Sequence, residues 1–324
     1  MREAGADDPQ LMREALAGLR AYRDAPRPER RIAGQATARI GSASLRDHGG
    51  DGPPAILIPS LINPPDILDL DPESSLVGAI RAMGRRTYLV DWGPAADRNR
   101  LSVSGHIEQI LMPLLKTVNR PAALVGYCLG GTMAIAAANV APVEQVVTLA
   151  TPWNFSDYPA DGRAALDRLW RQSRNSAQSL GVLPMELLQA AFWSLDPRRT
   201  VRKFADFSRL PPEHAAAGRF VALEDWANDG EPLPFPAAEE LIDGLFSQNL
   251  SGRGEWMIGG HAMTDAISAP ILNLTASRDR IAPAATAPAG KTVAIASGHV
   301  GMIVGSAREQ LYRQLAQTLD PSCR

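Results

Sequence analysis

Cys128 stands between two glycines in the stretch "LVGYCLGGTM", residues 124–133. An apolar run precedes it and a run of small residues follows, a pattern that predicts a buried strand, a tight turn and a helix. That is the setting of a nucleophile elbow, G-x-S-x-G, with cysteine in place of serine. The turn is crowded, and Gly126 and Gly130 supply the small side chains it needs. The N–H of Leu129 then points at the same spot as the sulfur, as a first oxyanion donor aided by the N-terminus of the following helix. The plainer reading is a small buried cysteine in a glycine-rich turn. The strand–turn–helix context favours the nucleophile.

A thiol needs a base to act as a nucleophile near neutral pH. In chains built around such an elbow the partners follow in the order nucleophile, acid, histidine. Asp279, after the strand "PILNLTASRD", and His299, after "KTVAIASGH", fit that order. Both fall where loops cross the top of a sheet. His299 would take the thiol proton, and Asp279 would fix its ring. Of the other histidines, surface roles suit His48, His106 and His214, and His261 in "GGHAMTD" reads as a turn residue. No His/Cys/Asp/Glu cluster has metal-ligand spacing, so no metal is expected, and there is no phosphate loop.

These residues need a scaffold. The chain has 324 residues, 45% apolar and 21% charged, as expected of a globular protein with a large core. A net charge of −2 gives no basic field for nucleic acid or an anionic membrane. Two cysteines are too few for a disulfide framework and fit a reducing compartment, and Cys323 reads as an incidental exposed thiol. "MREAGADDPQLMREAL" has no signal-peptide pattern, so a cytoplasmic location is expected. Residues 121–143 carry no charge, but Gly126, Gly130, Gly131 and Asn139 divide them into strand, turn and helix rather than a membrane span.

Residues 1–36 read as one helix and a Pro/Arg-rich link, "APRPERR". An edge strand is expected at 37–48, then strands at 54–60, 86–92, 122–128 and 144–152. Helices are expected at 71–84, capped by Asp71 with Pro72 at its first position, at 102–117 and at 130–141. Two more strands and a helix from about 306, with Ser306 and Glu309 at capping-box spacing, close the chain. Alternating strands and helices predict an α/β fold: a mainly parallel sheet with helices on both faces. Residues 37–152 and 256–324 would form this core. Residues 153–255, without such alternation, would be a mostly helical cap inserted over the strand ends, where open α/β sheets place their sites.

The chain resembles the polyhydroxyalkanoate synthases of the α/β-hydrolase superfamily, closest to the short class III catalytic subunits. The resemblance rests on "IPSLINPPDILDLDPESSL" (58–76), "YLVDWG" (88–93), the elbow, "VVTLATPWNFSDYP" (146–159), "LPMELLQAAFWSLDP" (183–197), "LEDWANDGEPLPFP" (223–236), "ASRDRIAP" and "SGHVGM", over residues 50–319. It implies Cys128 as acyl acceptor, His299 as base, Asp279 as its partner, and a second oxyanion donor at the backbone of Leu61 or Ile62. It implies polymerisation of 3-hydroxyacyl groups from coenzyme A through a Cys128 thioester, with no cofactor beyond that substrate. It further implies a homodimer, a place at the surface of polyester granules, and, as in class III enzymes, an open question of a non-catalytic partner subunit. Arg280 stands where many synthases have histidine.

The rivals are a Cys-dependent hydrolase, such as a thioesterase, depolymerase or dienelactone hydrolase-like enzyme, and an inactive binding protein. Dienelactone hydrolases can carry the same "GYCLGG" string but lack a large cap. Here Asp279 lies 151 residues beyond Cys128, which leaves room for one. Trp92 reads as strand-end packing. Trp153, Trp170, Trp193, Trp226 and Trp256 fall in or beside the cap, as its core or as the lining of an acyl channel.

Overall fold

The structure is a computed structural model and describes residues 8–27, 34–194 and 196–321. Cys323 and part of the "APRPERR" link lie outside these residues.

Eight strands form the main sheet: β1 (Gln35–Ile40), β2 (Ala43–Asp47), β3 (Pro54–Ile58), β4 (Arg86–Asp91), β5 (Ala123–Tyr127), β6 (Gln145–Leu149), β7 (Ile271–Ala276) and β8 (Lys291–Ile295). Their spatial order is β1-β2-β4-β3-β5-β6-β7-β8. The pairs from β4 through β8 are parallel, and β2 joins antiparallel to both β1 and β4. The three central strands β3, β5 and β6 are buried along their whole length. That matches their near-continuous apolar sequence, since strands covered on both faces lose the alternating pattern. This is the α/β-hydrolase fold.

Connectivity places the site. From β3 the chain goes to β4 on one side, then crosses back to β5 on the other. The strand order reverses there, opening a crevice at the carboxyl ends of β3 and β5. The registers bring these ends level: Ile58 pairs with Gly126, and Tyr127 with Leu149.

Local details differ from the sequence expectation in three places. Residues 37–48 are a hairpin rather than one strand, because Gly41, at φ 59°, turns the chain between β1 and β2. The helix expected at 71–84 is Leu76–Ala82, capped by Ser75, whose Oγ accepts the Gly78 N–H at 2.7 Å. Asp71 instead caps a turn, taking the N–H groups of Glu73 and Ser74, and the Ser75 hydroxyl itself donates to Asp69 Oδ1. The last helix, Arg308–Leu319, begins without a side-chain cap, so the Ser306–Glu309 box does not form. The helical stretch expected at 102–117 does form, from Val103 to Lys116, with a π-helical turn at Ile107–Leu111.

Contacts divide the chain into two compact units. One joins the described part of Met1–Arg31 to Glu186–Gly230, and the other joins Ile32–Met185 to Glu231–Arg324. The contacts therefore group 153–185 and 231–255 with the sheet, and the N-terminal helix Pro9–Asp24 with 186–230, where the sequence suggested one insertion at 153–255. In the smaller unit, Ala15 packs with Val201, Phe204 and Ala205 of the helix Pro197–Phe207. Gly18 makes this approach possible: a Cβ there would sit 1.8 Å from the Phe204 carbonyl oxygen. Gly18→Val should therefore destabilise this unit by about 1–3 kcal/mol, as overpacking does. Hydrogen exchange should report it as faster exchange in 186–230 than in β3, β5 and β6, and uniform protection would contradict it.

Candidate active site

The elbow forms at the end of β5. Cys128 follows Tyr127 with φ 56° and ψ −127°, and the helix Leu129–Val140 starts at the next residue. A non-glycine residue with positive φ is strained, and such strain persists only where the surroundings impose it. Here the Cys128 N–H is bonded to the Leu149 carbonyl at 2.9 Å, and its own carbonyl accepts the Gly131 N–H at 2.9 Å. The glycines are steric requirements. A Cβ on Gly126 would lie 2.3 Å from the Gly131 Cα, and one on Gly130 would lie 2.1 Å from the Ile58 carbonyl oxygen. Gly131 belongs to the same set, since its Cβ would meet the Thr151 hydroxyl at 1.9 Å. The serine-type elbow pattern names only two glycines, so the third was not singled out from sequence.

Asp279 and His299 meet at the ends of β7 and β8. The His299 Nδ1–H donates to Asp279 Oδ2 at 2.7 Å. A carboxylate can only accept, so this bond puts a proton on Nδ1 and turns Nε2 toward the sulfur side of the ring. Asp279 Oδ1 accepts the N–H groups of Ile281 and Ala282 at 2.8 and 2.9 Å. Both carboxylate oxygens are therefore committed, and the side chain cannot rotate without breaking bonds.

The Cys128 sulfur also acts on the His299 ring electrostatically. Burial opposes a charged ring and is the largest single influence. The Cys128 sulfur and the Asp279 carboxylate, with the hydrogen bond to Asp279, outweigh it and raise the ring from 6.5 to about 10. Of the three sequence-predicted residues, Asp279 and His299 are hydrogen-bonded to each other, and Cys128 bears on the same ring. Cys128 is partly exposed.

Two tyrosines also belong here. The Tyr127 ring lies 5.1 Å from the His299 ring, and its hydroxyl donates to the His299 carbonyl at 3.4 Å. The Tyr158 hydroxyl donates to the Ile281 carbonyl at 2.8 Å, bracing the acid loop. Burial, then the nearby Cys128 and Asp279 charges, hold both phenols well above their ordinary pKa. Tyr158 packs with Phe155 and Phe246, which places an apolar wall beside the site. Neither tyrosine was found from sequence, although Tyr127 is the elbow residue before the cysteine.

The loop after β3 supplies backbone donors. The close approach of Gly130 to the Ile58 and Pro59 carbonyls sets it beside the elbow. The Leu61 N–H has no hydrogen-bond partner among the described residues, and neither does that of Leu129. The Ile62 N–H points to the Ser60 hydroxyl at a long 3.4 Å. Buried N–H groups rarely go unpaired, and a free one next to a nucleophile is an available oxyanion donor.

Two histidines differ from their expected surface roles. His106 is completely buried and the His48 side chain nearly so, while His214 is exposed. His106 sits on the inward face of the helical stretch beginning at Val103, and the π turn that follows does not move it outward. His261 lies exposed in a two-residue strand. Five of the six tryptophans are buried, and Trp193 is the exposed one. Among the described residues no helix is long and apolar enough to cross a membrane.

No family model matches the chain. Structurally it is similar to a monoacylglycerol lipase from Paleococcus ferrophilus, with TM-score 0.50 and 15% identity over 87% of this chain and 99% of that one. It is also similar to E-2-(acetamidomethylene)succinate hydrolase, with TM-score 0.51 and 16% identity over 88% and 100% of the two chains. These likenesses show the α/β-hydrolase fold. Sequence narrows the class. The chain is 25% identical over 272 residues to the poly(3-hydroxyalkanoate) polymerase subunit PhaC of Haloferax mediterranei, covering 78% of this chain and 55% of that protein. It is 26% identical over 294 residues to the subunit of the same name from Allochromatium vinosum, covering 82% and 80%. A similar relative from Haloarcula marismortui is 24% identical, covering 83% and 61%. Over most of its length the chain is thus similar to poly(3-hydroxyalkanoate) polymerase subunits. It spans little more than half the length of the two haloarchaeal relatives.

The electrostatics give a prediction. Cys128→Ala removes the strongest influence that favours the imidazolium, so the His299 ring should titrate below about 10 in that variant. Nuclear magnetic resonance of the ring reads this directly, and an unchanged midpoint would contradict the coupling. The raised folded-state pKa also means that linked stability is complete below about pH 6.5 and is lost as pH rises through about 10. Wild-type melting temperature should fall more steeply over that window than that of Cys128→Ala.

Proposed function

We propose that the chain is an acyltransferase that polymerises 3-hydroxyacyl-coenzyme A into polyester through a thioester on Cys128. The observation that carries this reading is a cysteine at the elbow, coupled to a buried His–Asp pair, in a chain similar to poly(3-hydroxyalkanoate) polymerase subunits. The Cys128 sulfur attacks the thioester carbonyl of the substrate. The negative charge developing on the oxygen is met by the Leu129 N–H and an amide of the Leu61–Ile62 loop. Coenzyme A leaves as its thiol, taking the proton held by His299. The hydroxyl of a second 3-hydroxyacyl-coenzyme A then gives its proton to His299 and attacks the acyl-cysteine. An oxoester forms, the Cys128 sulfur is released, and the lengthened chain reloads from its coenzyme A thioester.

Cysteine suits this sequence of steps. Transfer between two thiols is nearly isoenergetic, whereas thioester to oxoester is downhill. The drive is therefore kept for elongation. Water would take the same downhill path, so the acyl-enzyme must be shielded. The apolar side chains of Phe155, Tyr158 and Phe246 beside the acid loop contribute to that shielding.

The test is to give the protein 3-hydroxybutyryl-coenzyme A and measure both thiol release and polyester. The wild type should release coenzyme A together with polymer. Cys128→Ala should do neither, and Cys128→Ser should release at most about one equivalent, since its oxoester is already the stable product. Release of free 3-hydroxybutyrate alone would replace the polymerase reading with a hydrolase.

A further inference from the structure

The loop that carries the Leu61 and Ile62 amides is held from behind by buried side chains. The Trp92 indole N–H donates to the Pro59 carbonyl at 3.1 Å. The Arg98 Nη2 donates to the Leu61 carbonyl at 3.2 Å. The Glu231 backbone N–H donates to the Ile62 carbonyl at 2.9 Å, and its carboxylate takes the Ala95 N–H at 2.6 Å. Because a peptide is planar, fixing a carbonyl also fixes the N–H of the next residue. Trp92 thus sets the peptide before the one that carries the Leu61 N–H, and Arg98 sets the peptide after it, whose N–H belongs to Ile62.

Arg98 is only 4% exposed, and burying a guanidinium is costly unless its donors are used. Its Nε donates to the Gly93 carbonyl at 3.3 Å, and its Nη1 faces His106 Nε2 at 3.1 Å. His106 Nδ1 faces the Ser102 carbonyl at 2.7 Å. A carbonyl only accepts and a guanidinium only donates, so Nδ1 carries the proton and Nε2 receives from Arg98. This is the neutral ring. Burial, with a smaller contribution from the Arg98 charge, accordingly holds His106 down at about 4. The guanidinium therefore directs its bonds to two backbone carbonyls and one imidazole.

We propose that Arg98, oriented by neutral His106, is a positioning residue that presets the 59–62 loop so that its amides face the carbonyl oxygen of an acyl group on Cys128. This rests on the reading of Cys128 as an acyl acceptor, but on neither polymerisation nor coenzyme A.

The test compares two reactions of the same sulfur. With 4-nitrophenyl butyrate, Cys128 attacks the ester carbonyl, the carbon–oxygen bond to the aryl group breaks, 4-nitrophenolate leaves, and His299 keeps the thiol proton. That step builds an oxyanion. Alkylation by iodoacetamide displaces iodide from a saturated carbon and builds none. Arg98→Met should slow the acylation burst about 100-fold, the scale of a misplaced or missing oxyanion donor, while alkylation keeps its wild-type rate. Arg98→Lys retains charge but not the planar fork and should lose less, as should His106→Gln. Three results would overturn the proposal: equal bursts in wild type and variants, parallel losses of acylation and alkylation across all three variants, or no Cys128-dependent burst in the wild type. Failure of the polymerase reading looks different. The burst would be intact and Arg98-dependent, with no polyester from 3-hydroxybutyryl-coenzyme A.

Discussion

The site depends on how closely the backbone at the end of β5 approaches its neighbours. Gly130 lies against the Ile58 carbonyl, Gly126 against Gly131, and Gly131 against Thr151. No side chain fits in any of these gaps. The same crowding holds Cys128 at positive φ, which costs on the order of 1–3 kcal/mol locally. Three fully buried central strands offset that cost by fixing both sides of the turn. Because the gaps are shut, the sulfur, the helix N-terminus behind it and the loop after β3 converge on one point. Loosening the turn would separate all three together.

Two buried histidines in the larger unit show how neighbours decide charge. Burial is the largest influence on each and disfavours the proton on both. The Cys128 sulfur and the Asp279 carboxylate raise His299 to about 10 against its burial, whereas burial, with a smaller contribution from the Arg98 cation, holds His106 at about 4. One ring holds its proton to high pH. The other stays neutral and can serve as an acceptor in a structural network. Burial acts alike on both rings, and the partners beside His299 separate the two by about six units of pH.

Much of the site could be read from the residues. The glycine flanks of Cys128, and the chain order of Asp279 and His299, follow from what an elbow requires, and in the structure Asp279 bonds to His299 while Cys128 bears on the same ring. The continuous apolar runs place the starts of the central strands within about a residue, but the expected 54–60 and 144–152 run past the observed ends at Ile58 and Leu149. Long-range pairing was hidden. "PAADRNRLSVSGH" looks polar and exposed, yet Arg98 and His106 in it are buried against each other. The bland stretch "RIGSAS" gave no strong turn signal, although Gly41 reverses the chain there. Asp71 and Ser75 are both good caps, and local sequence does not say that Asp69 holds Ser75. The partnership of the first helix with 186–230 joins residues far apart, and no periodicity within either segment announces it.

That partnership has a consequence during synthesis. The helix Pro9–Asp24 emerges from the ribosome roughly 170 residues before its packing partner, Pro197–Phe207. At 5–20 residues per second the wait is roughly 10–30 s. Throughout it, the face bearing Leu11, Met12 and Ala15 has no native surface to cover it. The smaller unit therefore cannot be the first part of the nascent chain to fold. The strands β1 to β6 are all translated in that interval. The residues of the elbow are thus translated before the partner of the first helix.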